Sequence, residues 1–405
     1  MAVWIGLGRA DAASLSLVDP LPGHMTSSIW GVSADGRVAV GSSYDFSPDN
    51  SIGIRYLAEL GTRALGSPAA EHLVIGFAAS GDGSVIVGQG PNGEALRWVE
   101  AGRIDTLGTV AGKQYYSAFG VSLDGGVIVG SAADDANETG AVPVAWSSAL
   151  VGRKLGLLSG SSSGEAMAVS GDGKVVVGNS GDEAFRLGTD GVVRRLGHLP
   201  GAVASVAQAV SQDGSVIAGY SMRPDDWLGR PFRWSAAGGM ESLGDLGGEA
   251  LAVSADGGVI VGGVVFNGDE HAFIWDATKG MRLLRDVLAG DLGIEVGELH
   301  MSVASGISAD GKTIVGNARL PNGGGYRGWV LRMSESAPEL RFSVEGGLVT
   351  IRWSAELSRN HLLHATSLIG GGWTAVSESP VVSGTDLVMR IEAVGANRYF
   401  MLRPR

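Results

Sequence analysis

The segment from residue 220 to residue 230 concentrates side chains that could bind a sugar. Beside Tyr220, it combines the aromatic ring of Trp227 with two carboxylates and two guanidinium groups, contributed by Asp225, Asp226, Arg223 and Arg230. Aromatic rings pack on the apolar faces of sugars, and planar charged groups form hydrogen bonds with sugar hydroxyls. The same composition also suits solvated ion pairs, so the segment predicts either a glycan site or an ordinary polar surface loop.

Adjacent tyrosines and scattered histidines could extend such a site. Tyr115 and Tyr116 could stack on a ligand or else cover the end of a strand. The histidines expected in or beside the same set of loops are His24, His72, His198, His271 and His300, of which His24 and His271 are our candidates. A His or Tyr beside an Arg could abstract a proton, as in a polysaccharide lyase. Two carboxylates about 5 to 10 Å apart could instead cleave a glycoside. Spacing assigns no pair, because such groups would meet only in the folded chain.

Composition excludes several other chemistries. The chain has no Cys, which removes disulfides, thiol catalysis and Cys-based zinc sites. A formal net charge of −12 opposes binding to nucleic acid or to anionic lipid. No apolar run approaches the roughly 18 to 20 residues that a membrane span needs. Neither a nucleotide fingerprint nor a Gly-x-Ser-x-Gly elbow occurs in its required context. We expect no cofactor and no metal.

A repeated motif must position these side chains. Ser-x-Asp-Gly followed by an alternating Val/Ile run and a Gly occurs seven times, and its Asp residues recur at intervals of 41 to 54 positions: Asp35, Asp82, Asp124, Asp172, Asp213, Asp256 and Asp310. Each Asp precedes a Gly in a predicted hairpin and lacks the spaced Asp-x-Asp-x-Asp-Gly pattern of a calcium loop. The motif therefore predicts a structural turn.

One repeat is long enough for four short strands. In the fourth copy we predict strands over residues 165–170, 174–180, 184–187 and 192–196. A four-stranded sheet cannot bury both faces alone, so the repeats must pack on one another. Seven copies predict an all-β fold, a seven-bladed β-propeller over residues 13–333, with the large apolar residues of each third strand buried between blades.

The chain ends carry a sign of ring closure. Only three strands follow the seventh turn, and residues 14–19 can supply the missing fourth from the N-terminus. Strand direction then places the loops joining strands two to three, and blade to blade, on the face opposite the Asp-Gly hairpins. We expect binding on that face, because its loops vary between repeats.

Two segments depart from the repeat. Residues 281–288 have apolar residues at helical spacing and predict a short helix. Residues 334–338 form a predicted linker, and residues 339–405 predict a small β-sandwich of the fibronectin or Ig type. Its expected strands are residues 340–344, 348–353, 361–365, 373–376, 387–391 and 399–402.

The repeats resemble a known bacterial group. The blend of Val-Ser-x-Asp-Gly-x-Val-Ile-Val-Gly with Ala-Phe-Arg-Trp and Gly238 to Leu246 is similar to extracellular HAF repeats, named for a triplet that stands here as His271-Ala272-Phe273. The end of the chain is similar to sandwich modules that finish many secreted bacterial proteins. The resemblance implies a secreted propeller and brings no catalytic residues.

These observations leave two hypotheses. The first is an extracellular or periplasmic binding or scaffold propeller, a monomer that recognises a glycan or a protein through its variable loops. The second is a carbohydrate-active enzyme, either a hydrolase or a lyase, with its site at the mouth of the central channel. Residues 1–12 hold a short apolar stretch and Ala10-Asp11-Ala12, which predict the remnant of a signal peptide or a disordered leader.

Overall fold

A computed structural model describes most of the chain. The described residues are 13–45, 50–66, 73–99, 102–224, 226–333, 341–345, 348–354, 361–367, 374–375, 381–383, 386–392 and 398–404. The chain divides into two compact units, Leu15–Arg332 and a second that joins Met333–Arg405 to Met1–Ser14. The predicted leader (residues 1–12) and linker (residues 334–338) lie outside the described residues.

Four-stranded antiparallel sheets make up the larger unit, and its described residues contain seven of them. Strand β1 (Ser14–Val18) belongs to the last sheet. Sheet 1 contains β2 (Thr26–Val32), β3 (Ala39–Tyr44), β4 (Ile52–Leu57) and β5 (Gly61–Ala64). Sheet 2 contains β6 (Ile75–Ala79), β7 (Val85–Gln89), β8 (Ala95–Val99) and β9 (Arg103–Thr106). Sheet 3 contains β10 (Tyr115–Val121), β11 (Val127–Ala133), β12 (Val142–Ser147) and β13 (Gly152–Lys154).

The remaining sheets follow the same plan. Sheet 4 contains β14 (Gly164–Val169), β15 (Val176–Ser180), β16 (Glu183–Leu187) and β17 (Val193–Arg195). Sheet 5 contains β18 (Ala204–Val210), β19 (Val216–Arg223), β20 (Asp226–Ser235) and β21 (Gly239–Ser242). Sheet 6 contains β22 (Gly248–Val253), β23 (Val259–Phe266), β24 (Asp269–Asp276) and β25 (Gly280–Leu283). Sheet 7 contains β26 (His300–Ile307), β27 (Thr313–Arg319) and β28 (Tyr326–Arg332), with β1 beside β28. The N-terminal strand therefore supplies the fourth strand of sheet 7, as predicted.

Each Ser-x-Asp-Gly turn is closed by the same hydrogen bonds. The Ser hydroxyl donates to the Asp carboxylate at 2.6–3.1 Å and accepts from a backbone N–H five residues later at 2.8–3.0 Å. The Asp carboxylate also accepts the N–H two residues on, and the Gly has a φ of 70–74°. These left-handed conformations require Gly, and the Asp side chains are engaged by the turn itself.

Successive turns also bond to one another. Backbone hydrogen bonds of 2.9–3.1 Å join the turns of sheets 1 to 2, 2 to 3, 3 to 4, 5 to 6, 6 to 7 and 7 to 1, and the last runs from Ala309 N–H to the Ala34 carbonyl. Between sheets 4 and 5, a Cβ added at Gly171 would lie 2.7 Å from Gln212 Cγ. The first strands likewise contact their neighbours in order, with β26 returning to β2. The sheets therefore surround an axis that the first strands face.

A bulge interrupts every first strand at the same point. The bulged residues are Trp30, Phe77, Phe119, Met167, Gln208, Leu251 and Ser305. Each bulge turns a carbonyl oxygen towards the Gly that ends the Val/Ile run on the second strand, so that a Cβ there would overlap it. The close approach explains why the run ends in Gly.

The core lies between neighbouring sheets. The third-strand side chains of Trp146, Phe185, Phe232, Phe273 and Trp329 are fully buried. One cluster joins Val87 and Ala95 of sheet 2 to Ile128 and Trp146 of sheet 3. These aromatic residues belong to the packing and offer no stacking platform.

Two predictions about local structure are wrong in part. The helix predicted over residues 281–288 begins only at Leu284, as α1 (Leu284–Gly290), because Met281 and Leu283 pair with Trp275 and Phe273 in the sheet. The segment from residue 220 to residue 230 is mostly a hairpin of β19 and β20 rather than a loop, with Arg223 opposite Asp226.

The C-terminal unit contains two antiparallel sheets in its described residues. One orders β29 (Arg341–Glu345), β30 (Leu348–Ser354), β34 (Asp386–Glu392) and β33 (Val381–Ser383), and the other orders β32 (Thr374–Ala375), β31 (His361–Ser367) and β35 (Arg398–Pro404). Strand β33 was not predicted, and residues 373 and 376 of a predicted strand lie outside the described residues. Ile351, Leu387, Val388 and Met389 are buried.

Candidate functional site

The predicted tyrosine pair divides into a core residue and a partly exposed one. Tyr116 is 5% exposed. Its hydroxyl accepts the Val110 N–H at 3.2 Å and lies 2.8 Å from the Lys113 carbonyl oxygen, to which it can donate. Tyr115 is half-buried, and a Cβ added at Gly93 would overlap its ring. The structure therefore places Tyr116 in a packing role at the strand's end.

The remaining predicted residues do not come together. His24 Nδ1 lies 3.0 Å from the hydroxyl of Ser43 in sheet 1, whereas His271 lies on β24 in sheet 6. In sheet 5, Arg223 is exposed, and Arg230 donates to the Gly229 carbonyl at 2.9 Å. The positions outside the described residues are His72, Asp225 and the side chains of Asp226 and Trp227.

A different set of polar groups gathers where the first strands begin. The residue five positions before each turn Ser is Ser28, Ile75, Ser117, Glu165, Val206, Glu249 and Val303 in sheets 1 to 7. Two of these seven positions therefore carry a glutamate, in sheets 4 and 6. Both lie at the end of the sheets opposite the Ser-x-Asp-Gly turns, on the face predicted to bind.

Glu165 is the most strongly perturbed of these carboxyls. Burial raises its pKa to about 7, and the nearby Glu138 charge acts in the same direction, against a hydrogen bond from Ser131. Among the described residues, its buried Oε1 atom has no hydrogen-bond partner. A carboxyl that titrates near neutrality can both hold and release a proton at working pH.

Tyr220 of sheet 5 lies between the two glutamates. Burial and the charges of Glu249 and Glu165 raise its pKa to about 12, while a hydrogen bond from Gln208 lowers it. Gln208 is the bulged residue of the same sheet. Tyr220 therefore stays protonated at neutral pH and keeps a hydroxyl that can both donate and accept.

Glu249 and Glu270 continue the group towards sheet 7. Burial raises the pKa of both carboxyls, and the Glu270 charge raises that of Glu249 further. His300 Nε2 lies 2.8 Å from the Glu270 carbonyl oxygen, and the rings of His300 and His271 are 4.7 Å apart. Burial and the His300 charge lower the pKa of His271. We call Glu165, Gln208, Tyr220, Glu249, Glu270 and His300 the axial site.

Apolar bulged residues provide a second surface around the same axis. Trp30 is 44% exposed although it belongs to a first strand. The rings of Phe77 and Phe119, from neighbouring sheets, meet edge to face at 5.4 Å. Met167 and Leu251 take the same repeat position in sheets 4 and 6. Carboxyls and hydroxyls thus share the axial surface with rings that could pack on a ligand.

In the part of the chain that the structure describes, no cluster of three or more His, Cys, Asp or Glu side chains could hold a metal ion. Within the same residues, no helix combines the length and apolar character that a bilayer crossing requires.

Comparisons with known proteins bear on the fold. No family model and no curated protein matches the chain. An oligogalacturonate lyase from Vibrio parahaemolyticus is 13% identical with a TM-score of 0.51, over 82% of this chain and 100% of its own. Virginiamycin B lyase from Staphylococcus aureus is 12% identical with a TM-score of 0.51, over 79% and 99%.

TolB from Acinetobacter baumannii also matches, at 15% identity and a TM-score of 0.45, and the chain covers only 61% of its length. The two lyases are β-propeller proteins, and at 13% and 12% identity their similarity to this chain shows the fold alone. This protein is an all-β chain with the β-propeller fold.

Proposed function

We propose that this protein is a seven-bladed β-propeller that binds a glycan at the axial site. The observation that carries the proposal is the convergence of Glu165 and Glu249, from sheets 4 and 6, on Tyr220 of the sheet between them. Glu165, with its pKa raised to about 7, is partly protonated near neutral pH, and burial raises the pKa of Glu249 in the same direction. A protonated carboxyl and a tyrosine hydroxyl can donate and accept hydrogen bonds, as sugar hydroxyls do, and Trp30 offers an exposed ring on the first strand of sheet 1.

The proposal also includes the predictions from the sequence about the C-terminal unit, the oligomeric state and the location of the protein. The C-terminal sheets form a sandwich that serves as a spacer or attachment module, and the monomer acts outside the cytoplasm. The resemblance to extracellular HAF repeats, carried by the triplet His271-Ala272-Phe273, supports that placement. The binding hypothesis also includes a protein, instead of a glycan, as the ligand of the variable loops.

A glycoside hydrolase is the second candidate. The pKa of Glu165 near 7 suits a general acid, and Glu249 could act as the second carboxylate. Tyr220, with its pKa raised to about 12, is almost entirely protonated at neutral pH, so the tyrosinate that would act as the base of a lyase is scarce. Of the two enzymatic alternatives, hydrolysis therefore fits the axial site better.

A panel of neutral oligosaccharides tests the proposal. Retention and calorimetry measure binding, while assays for new reducing ends and for unsaturated ends measure cleavage. We expect at least one glycan to bind without cleavage and to bind at least tenfold more weakly to Glu249→Gln and Tyr220→Phe. The exposed Glu241→Gln is the matched control in sheet 5 and should bind normally. Cleavage that produces new reducing ends without unsaturated ends would favour the hydrolase. A panel in which no glycan binds would refute both glycan binding and hydrolysis at the axial site.

A further inference from the structure

A cleft rich in arginine lies far from the axial site. It has a volume of about 630 Å³ and lies between sheets 4 and 5, where it reaches Gly214 of a Ser-x-Asp-Gly turn. Four arginines line it, Arg186, Arg194, Arg195 and Arg233, together with the half-buried Trp234. Such a concentration of positive charge is unusual in a chain with a formal net charge of −12.

The Arg186 side chain lacks the counter-ion that Arg194 and Arg195 have. It lies directly opposite Arg194 in the pairing of β16 with β17, so the two side chains leave the sheet on the same face. Arg194 is held by both carboxylate oxygens of Asp190, at 3.1 and 2.6 Å, and Arg195 pairs with Glu183. Within the described residues, the Arg186 side chain has neither a hydrogen bond nor an ion pair. Like charges directly opposite each other on two strands are unfavourable unless an anion joins them.

The other repeats show how this position is usually treated. Arg97 stands at the same repeat position in sheet 2, and there Asp105 replaces the opposing arginine and bonds to it at 2.7 Å. Arg55 stands there in sheet 1, opposite Arg63, but its cleft has a volume of only about 110 Å³. Only the cleft between sheets 4 and 5 combines an uncompensated arginine with room for a ligand, among the clefts compared.

We propose that this cleft binds an oxyanion carried on an apolar group, with the oxyanion at Arg186 and Arg194 and the apolar group against Trp234. A guanidinium presents paired N–H donors that match phosphate, sulfate and carboxylate oxygens. The half-buried indole of Trp234 supplies an apolar wall. The ligand would replace the counter-ion that Arg186 lacks.

Calorimetric titration with phenyl phosphate, phenyl sulfate, benzoate and inorganic phosphate tests the proposal and identifies the preferred oxyanion. We expect at least one phenyl ligand or benzoate to bind saturably, phenyl phosphate to bind at least threefold more tightly than inorganic phosphate, and Arg186→Gln to weaken binding at least tenfold. Arg55→Gln removes the arginine of the same repeat position from the small cleft, so it should leave the affinity unchanged.

Thermal unfolding gives an independent readout. A bound ligand should raise the midpoint of the wild type and of Arg55→Gln but not that of Arg186→Gln. The unliganded Arg186→Gln variant should unfold no earlier than the wild type, because it loses a like-charge contact. Absence of saturable binding, or equal affinity in wild type and Arg186→Gln, would overturn the proposal. Neither result would bear on glycan binding at the axial site.

Discussion

Among single residues, Glu165 of the axial site differs from the turn aspartates because one of its carboxyl oxygens is buried without a hydrogen-bond partner in the described part of the chain. Hydrogen bonds within the turns lower the pKa of Asp82, Asp124, Asp172, Asp213 and Asp256, and Asp124 accepts them from Ser122 and the Gly126 N–H. Glu165 has a buried oxygen without a partner among the described residues and a pKa raised to about 7. One set of carboxyls therefore stabilises the folded chain in its charged form, and the other resists ionisation because water is excluded.

Replacing Glu165 by Gln should stabilise the protein in a pH-dependent way. An unfolded chain ionises this carboxyl near the ordinary glutamate pKa of 4.5, whereas the folded chain holds the proton to about 7. Wild-type stability contributed by this group is therefore lost as pH rises through that window. We expect Glu165→Gln to match the wild type below pH 4.5 and to exceed it by about 3 kcal/mol at pH 8. Denaturant unfolding across this range measures the difference, with exposed Glu241→Gln as control. A constant difference at all pH values would contradict the assignment.

The axial site was only partly predictable from the sequence. Its face followed from strand direction, and His300 is one of the histidines that the sequence places in or beside the loops of that face. Glu165 and Glu249 were missed, although aligning the repeats on their Ser-x-Asp-Gly turns shows glutamates where other copies have small or apolar residues. The convergence on Tyr220 could not be predicted, because sheets 4, 5 and 6 become neighbours only through ring order and burial sets the pKa of each group.

At the scale of the element, the bulge and the glycine opposite it form a unit. Beside the bulge, the carbonyl of the residue two positions before the bulged one occupies the space where a second-strand side chain would begin, as the Ile75 carbonyl does two residues before Phe77. A Val/Ile run that closes with Gly therefore predicts a second strand that pairs with a bulged first strand. Helix α1 was misplaced by three residues because sheet pairing with β24 overrode helical spacing in residues 281–283.

Gly178→Ala should be strongly destabilising. A Cβ at this position would overlap the Glu165 carbonyl oxygen, which is backbone and cannot move without disturbing the bulge. We expect the free energy of unfolding to fall by about 3 kcal/mol. Gly290→Ala is the control, because its Cβ would meet nothing within 4 Å at the end of α1. Urea unfolding compares the two variants, and equal stability would mean that the bulge adjusts freely.

At the scale of the whole molecule, stability depends on joining the two ends of the ring. The Ser27 hydroxyl donates to the Val18 carbonyl at 2.6 Å and accepts the Gly328 N–H at 3.1 Å. One side chain thus connects β1, β2 and β28, which come from opposite ends of the larger unit. Opening the ring here would expose two first-strand surfaces, so the closing contacts should matter more than equivalent contacts elsewhere.

Asn317 provides the sharpest test of ring closure. It is 7% exposed, its Oδ1 accepts the Ile29 N–H at 2.8 Å, and its Nδ2 donates to the Ile29 carbonyl at 3.0 Å. Asn317→Ala leaves the buried Ile29 N–H without that partner, so we expect a loss of about 3 kcal/mol in urea unfolding and faster hydrogen exchange at Ile29. Asn179, at the same repeat position in sheet 4, makes only a 3.4 Å contact with the Gly181 carbonyl, and Asn179→Ala should cost less than about 1 kcal/mol. Should both variants lose equal stability, the junction of sheets 7 and 1 would be no more critical than any other junction in the ring.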